Sequence, residues 1–123
     1  MKAELKRSNA PIFWLLFGAG GMLAALVGPV LVLITGLAVP LHIGLPADTL
    51  SYAHVLGFAK SWLGMLILFV VIALFLWHAG HRIFHSLHDL GVHPGATVKL
   101  ICYGLPLLAT LVTGYVLITI GMS

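Results

Sequence analysis

Three long runs of apolar residues, separated by two short polar stretches, set the hydrophobic pattern of this chain. The runs cover about residues 11–39, 56–77 and 98–120, and the second is expected to continue as a helix to about residue 85, through a polar cluster. A helix needs roughly 20 apolar residues to cross the hydrocarbon core of a bilayer, and each run supplies that length. Because lipid offers the backbone no hydrogen-bond partners and the sequence lacks the alternating pattern of a barrel, the runs predict three transmembrane helices.

Turn-forming residues fill both intervals between the runs. Residues 40–51 contain Gly44, Pro46 and Asp48, and residues 90–96 contain Gly91, Pro94 and Gly95. Neither interval is long enough to form a domain of its own. The sequence therefore predicts an all-α membrane protein with one anchor domain over residues 1–123.

Composition excludes an ordinary soluble domain. Hydrophobic residues make up 61% of the 123 residues and charged residues only 7%, so a polar surface cannot be built. The net charge of +3 comes from scattered basic residues, without the basic stripe that binds a nucleic acid. The single cysteine, Cys102, cannot form a disulfide or a thiolate metal cluster within the chain, and we expect it to pack among apolar side chains.

Basic residues near the ends of the runs predict the orientation in the membrane. Lys2, Lys6 and Arg7 precede the first run, which is too long for a cleaved signal peptide and is interpreted as a retained anchor. Arg82 and Lys99 flank the second interval. By the positive-inside rule, the N-terminus and the second loop are expected in the cytoplasm and the C-terminus in the periplasm.

Small residues in the first run indicate close packing between helices. Gly20 with Ala24, and Gly21 with Ala25, have the four-residue spacing that lets two helix backbones approach in lipid. These glycines follow no strand and lack the spacing of a phosphate-binding loop.

Ionisable side chains cluster at the end of the second run. At about 100° per residue, they share one helix face roughly 120° wide. Ionisable groups are unfavourable near a bilayer, so such a face indicates a functional site. Its members are His78, His81, Arg82, His85, His88 and Asp89.

Three interpretations of this face remain open from the residues themselves. The histidines could bond to neighbouring helices, ligate haem iron, or border a site where a polar head group exchanges protons. His78 is the best haem candidate because it lies deepest, but all candidates lie on one helix, and His42 and His54 fall toward the opposite side of the membrane. A haem would therefore need a ligand from a partner. A small transporter is disfavoured because the outer halves of the helices contain almost no ionisable groups.

An aromatic pair at the same depth favours the third interpretation. Trp14 and Phe17 are three residues apart on one helix face and lie level with Arg82 and His85. An indole N–H and an aromatic ring beside cationic groups suit a planar ring with carbonyl oxygens, which indicates a quinone-type pocket. The sequence contains no nucleophile–base pair or carboxylate dyad, so any electrons are expected to come from a partner protein.

Several motifs, spread over nearly the whole chain, resemble those of a known protein family. They are Lys6-Arg7-Ser8, Pro11, Phe13-Trp14, Phe17-Gly18-Ala19-Gly20-Gly21-Met22, Leu50-Ser51-Tyr52, Leu76-Trp77, His81-Arg82, His85, His88-Asp89-Leu90 and Tyr103-Gly104-Leu105. With these motifs the chain closely resembles the D subunit of fumarate reductase. The His-Arg run and the opening with tryptophan and glycines are the more specific part of the likeness.

The resemblance implies a non-catalytic anchor with three helices in a bacterial inner membrane. In that family the anchor pairs with a second one, the C subunit, and both hold a flavoprotein and an iron–sulfur subunit at the cytoplasmic face. Menaquinol oxidised beside an iron–sulfur cluster supplies electrons to FAD, where fumarate becomes succinate in anaerobic respiration.

The resemblance also implies a set of site residues. The residues expected to border the quinone pocket are Trp14, Phe17, Gly18, His81, Arg82 and His85. The family lacks haem, so no metal ligand is expected. The alternative is a haem b-binding anchor of a succinate dehydrogenase-type complex, with His78 as the ligand.

Overall fold

The computed structural model describes residues 10–123. Within that range all regular structure is helical: α1 (Ala10–Leu33), a π-helical continuation (Ile34–Ala38), α2 (Tyr52–Lys60), α3 (Trp62–Asp89) and α4 (Ala96–Met122). Three segments are long and apolar enough to cross a membrane: Trp14–Ala38, Trp62–Asp89 and Ala96–Met122. The prediction of three membrane-spanning helices is confirmed. The basic residues Lys2, Lys6 and Arg7 lie outside the described residues.

The first helix changes its winding before it ends. Its last turns are π-helical, and the Val39 N–H donates to the Ile34 carbonyl oxygen at 3.0 Å. Pro29 lies inside α1 and lacks an N–H, and the Thr35 hydroxyl donates to the Leu31 carbonyl oxygen at 2.8 Å. Both features weaken the regular α-helical ladder, and they account for wider winding at the end of the predicted 11–39 segment.

The segment predicted as one helix over about 56–85 is divided in the structure. The chain forms a separate short helix, α2, and the spanning helix begins only after Ser61. Ser61 has an extended backbone, and its hydroxyl accepts from the Gly64 N–H at 3.0 Å and donates to the Phe58 carbonyl oxygen at 2.7 Å. One side chain therefore ends α2 and caps the start of α3.

The far end of α3 extends past residue 85 to Asp89 and is closed by Gly91. This glycine has a φ of +77°, a left-handed conformation that other residues rarely adopt. The Val92 N–H returns to the Leu87 carbonyl oxygen at 3.1 Å, which satisfies a carbonyl that the helix end leaves open. All four histidines of the predicted cluster consequently lie on α3. α4 covers 96–122, slightly more than the predicted 98–120.

The central helix of the bundle is α3, which contacts both α1 and α4. Glycines form the close approaches: Gly20 of α1 lies against the Leu74 carbonyl oxygen and His78, and Gly80 of α3 lies against the Cys102 carbonyl oxygen and Pro106. These contacts make α3 antiparallel to both neighbours. α1 and α4 do not pack on each other along their backbones within residues 10–123. The small residues Gly20 and Gly21 therefore pack against α3 as predicted, whereas Ala25 is exposed.

Gly80 gives a direct test of this packing. A Cβ at position 80 would collide with the Cys102 carbonyl oxygen, which is backbone and cannot move without shifting α4. We expect Gly80→Ala to destabilise the α3–α4 pair by about 1–3 kcal/mol, the usual range for overpacking. The melting temperature of the purified complex in detergent measures the effect. Gly104→Ala is the matched control, because a Cβ there meets no heavy atom within 4 Å. Equal melting temperatures for the two variants would contradict the packing.

Candidate functional site

The ionisable face of α3 becomes more exposed toward the end of the helix. His78 and His81 are half-buried, whereas the rest of the face is exposed: Arg82, His85, His88 and Asp89. The two half-buried imidazoles contact other helices, and the exposed groups face the surroundings of the chain. The face is therefore divided into a part that holds the bundle together and a part available to a ligand or a partner.

His78 lies in the contact between α1 and α3. Its Nδ1 donates to the Phe17 carbonyl oxygen at 3.1 Å. A Cβ on Gly21 would lie 2.8 Å from the His78 Cε1, so a larger residue at position 21 would require the ring to shift. The interpretation that a histidine bonds to a neighbouring helix describes the geometry of His78.

His81 is the point at which all three long helices meet. Its ring stacks on Phe17 of α1, with centroids 3.9 Å apart and an interplanar angle of 11°. Its Nδ1 is hydrogen-bonded to the Tyr103 hydroxyl of α4 at 3.0 Å. The His85 ring lies 4.3 Å from the His81 ring. Phe17, His81 and His85 of the predicted site are thus brought together.

Tyr103 was not among the predicted site residues, although it holds the His81 imidazole. The Tyr103 ring is also 6.1 Å from Phe17 and 5.5 Å from Phe84. Two signals in the sequence pointed to it: a phenol hydroxyl at the depth of the histidines, and the Tyr103-Gly104-Leu105 motif of the family resemblance. A tyrosine buried there usually finds a hydrogen-bond partner.

Trp14, Gly18 and Arg82 form an open surface on the other side of the α1–α3 contact. Trp14 is 80% exposed, and a Cβ on Gly18 would meet no heavy atom within 4 Å. At helical spacing, Trp14 and Gly18 lie on the same face of α1 as Gly21. On α3, Arg82 lies one turn after His78 and on the same face. Because Gly21 lies against His78, these two faces meet on the same side of the α1–α3 pair. The six predicted residues therefore lie at one end of the bundle but on two sides of α1.

A cleft lies between α1 and α4, and α3 forms its floor. Its volume is about 740 Å³, and its walls include Phe17, Trp77, Lys99, Tyr103 and Leu107. The Trp77 indole N–H is satisfied by the Thr110 hydroxyl at 3.1 Å, which leaves its ring as an apolar floor. The sequence pattern did not predict this cleft, because it depends on α1 and α4 diverging.

Metal-ligating residues are not grouped in the part of the chain that the structure covers. Among residues 10–123, no set of three or more histidine, cysteine, aspartate or glutamate side chains is placed to hold a metal ion. The ring pair His88 and His93, 5.6 Å apart, lies at the end of α3 and in the loop that follows. What the site offers a ligand is therefore a set of imidazoles, an indole and a guanidinium beside apolar walls.

Three apolar spanning helices, one of which ends in a face of ionisable residues, define a multi-pass membrane subunit. Comparison with known proteins identifies the family of this subunit. The chain belongs to the fumarate reductase D subunits, and the model of that family matches residues 4–118. The chain is accordingly an inner-membrane anchor and one component of a larger complex.

Named relatives match most of the length of both chains. The fumarate reductase D subunit of Photobacterium profundum is 48% identical over 98 residues, which cover 80% of this chain and 81% of the relative. That of Vibrio cholerae serotype O1 (strain M66-2) is 42% identical over 117 residues, 95% and 87% of the two chains. That of Shewanella sp. (strain W3-18-1) is 44% identical over 108 residues, 88% and 86% of the two chains.

Proposed function

We propose that this anchor, together with a second anchor (the C subunit), holds the flavoprotein and iron–sulfur subunits against the cytoplasmic face of the inner membrane. In this proposal its ionisable end borders a menaquinol site that supplies electrons for the reduction of fumarate to succinate. The single observation that carries the proposal is the open surface of Trp14 and Arg82 beside the His81 junction. An indole and a guanidinium exposed at the end of apolar helices suit a ligand with both an apolar ring and polar oxygens.

The side chains at this end match what menaquinol oxidation requires. Menaquinol loses two electrons and two protons as it becomes menaquinone. Arg82 and the Trp14 indole N–H would donate hydrogen bonds to a quinone oxygen. His81 and His85 would orient the ring or accept the protons, since an imidazole nitrogen can accept a proton and the other can donate one. The electrons would pass to an iron–sulfur cluster of the partner subunit and then to its FAD-bearing neighbour.

The six site residues would contribute in different ways. Phe17 is only 9% exposed and is stacked on His81, so it would act mainly by holding that imidazole. Gly18 leaves open space beside Trp14, where the edge of a ring could approach the backbone. The remaining walls of the pocket would come from partner subunits, because Trp14 and Arg82 are not enclosed by this chain.

Arg82→Leu tests the menaquinol site. We expect quinol-driven fumarate reduction to fall on the order of 10–100-fold in kcat/KM, which is the range for loss of a hydrogen bond from a charged group. Fumarate reduction driven by reduced viologen bypasses the quinol and should stay near the wild-type level. Lys60→Leu, at the end of α2, is the control and should leave both activities unchanged. If quinol-driven turnover survives Arg82→Leu, the pocket is elsewhere.

Cysteine labelling tests the proposed orientation, with the second loop in the cytoplasm and the C-terminus in the periplasm. In a Cys102→Ala background, the exposed positions are changed one at a time: Ala47→Cys, Val92→Cys and Ser123→Cys. A membrane-impermeant maleimide should label positions 47 and 123 in intact spheroplasts, and position 92 only after permeabilisation. The opposite pattern would reverse the orientation.

One feature of His78 suits the alternative, a haem b-binding anchor of a succinate dehydrogenase-type complex. Its Nδ1 donates to a backbone carbonyl, as the second nitrogen of a ligating histidine commonly does, and Nε2 would be left for iron. That nitrogen, however, faces α1, 3.5 Å from where a Cβ on Gly21 would lie. Iron would have to separate the two helices to reach it, so the proposed function uses no haem.

A visible difference spectrum separates the two functions. We expect the purified complex, reduced minus oxidised, to lack the sharp bands of a b-type haem. Bands that disappear in His78→Ala would favour the haem-binding alternative instead. His42→Ala serves as the control, since this exposed histidine belongs to the loop at the other end of the bundle.

A further inference from the structure

We propose that the cleft between α1 and α4 binds one acyl chain of an anionic phospholipid, with Lys99 pairing with the phosphate. The cleft exists because α1 and α4 both pack on α3 while staying apart from each other over residues 10–123. It opens on the other side of α1 from the surface formed by Trp14 and Arg82, and of the six residues proposed to border the menaquinol site only Phe17 also lines it.

The length of the cleft fits the chain of a lipid in one leaflet. Its α4 wall is a continuous stripe at helical spacing: Ala96, Lys99, Leu100, Tyr103, Gly104 and Leu107. From residue 96 to residue 107 this stripe is about 16 Å long, at roughly 1.5 Å per residue. Half of a hydrocarbon core of roughly 30 Å is about 15 Å. The cleft therefore runs from the head-group level into one leaflet and does not continue through the other.

The walls of the cleft are apolar below its charged end. The Trp77 indole and the Tyr103 hydroxyl, the polar atoms closest to the floor, already have partners in Thr110 and His81. Gly104 has no heavy atom within 4 Å of its Cβ position, which leaves a furrow on α4 between Leu100 and Leu107. A flexible hydrocarbon chain fills such a furrow without leaving a polar group unsatisfied.

The positive charge of Lys99 at the membrane-surface end of the cleft favours a lipid with an anionic head group. Lys99 lies in the first turn of α4 and is exposed at the membrane-surface end of the cleft. In the part of the chain that the structure describes, the single close ion pair joins His54 and Asp48 at the opposite end, so Lys99 has no carboxylate partner. A lysine at a membrane surface attracts anionic lipid, whereas the neutral tail of a quinone makes no use of a cation.

Native mass spectrometry of the intact complex tests the site. Delipidated complex is incubated with phosphatidylglycerol, or with phosphatidylcholine as the zwitterionic lipid, and the bound lipid is counted. Two variants attack the site independently: Lys99→Gln removes the charge, and Gly104→Leu fills the furrow without touching the charge. The matched controls are Lys60→Gln and Gly28→Leu, which lie outside the cleft and, in the case of Gly28, also have open space at the Cβ position.

We expect Lys99→Gln to lower phosphatidylglycerol binding about fivefold, the factor that one surface lysine contributes. Gly104→Leu should also lower phosphatidylglycerol binding, because it fills the furrow, while the controls bind as wild type does. Only Gly104→Leu should also lower phosphatidylcholine binding. Unchanged phosphatidylglycerol binding in Lys99→Gln overturns the proposal, even if Gly104→Leu fails to assemble. A photo-crosslinking residue at position 100 that captures the second anchor would overturn it too, because the cleft would then be a protein interface.

Discussion

The junction at His81 is the interaction on which the arrangement of the three long helices depends. In lipid, apolar side chains gain little from leaving the solvent, so helix association needs close packing and polar contacts. His81 provides both, because it stacks on Phe17 of α1 and is hydrogen-bonded to Tyr103 of α4. His78 adds a hydrogen bond to the backbone of α1. The same imidazoles that mark the candidate site therefore also hold the bundle together at that end.

The number of membrane-spanning helices could be predicted because, in lipid, a helix is the main structure in which a single segment satisfies its own backbone hydrogen bonds. A run of apolar residues long enough to cross the bilayer must satisfy its own hydrogen bonds, whatever its neighbours are. The break at Ser61 could not be predicted in this way, since it depends on a single hydroxyl that bonds forward to Gly64 and back to Phe58. Hydropathy does not register such a side chain. The membrane orientation stays a prediction from the basic residues.

The candidate site could be predicted along the helix axis but not around it. Depth follows from residue number, so Trp14, Phe17, Arg82 and His85 are level, as their spacing indicates. Which side of α1 each residue occupies depends on how that helix is rotated against α3, and this rotation is set by Gly20 and Gly21. The neighbours Phe17 and Gly18 consequently differ in environment, one buried and one exposed. The roles proposed for these residues toward menaquinol remain predictions.

α3 is longer than the hydrocarbon core is thick, and the position of its start after Ser61 bears on which end extends beyond the core. A helix of 28 residues is about 42 Å long, whereas the hydrocarbon core is roughly 30 Å thick. If the Ser61 end is held at one interface by α2, which packs against α3 and α4, an untilted α3 would extend about two turns past the core at the other. Those turns carry the residues from Arg82 to Asp89. In that placement the charged end of α3 would lie at the level of the lipid head groups, where a soluble protein could contact it.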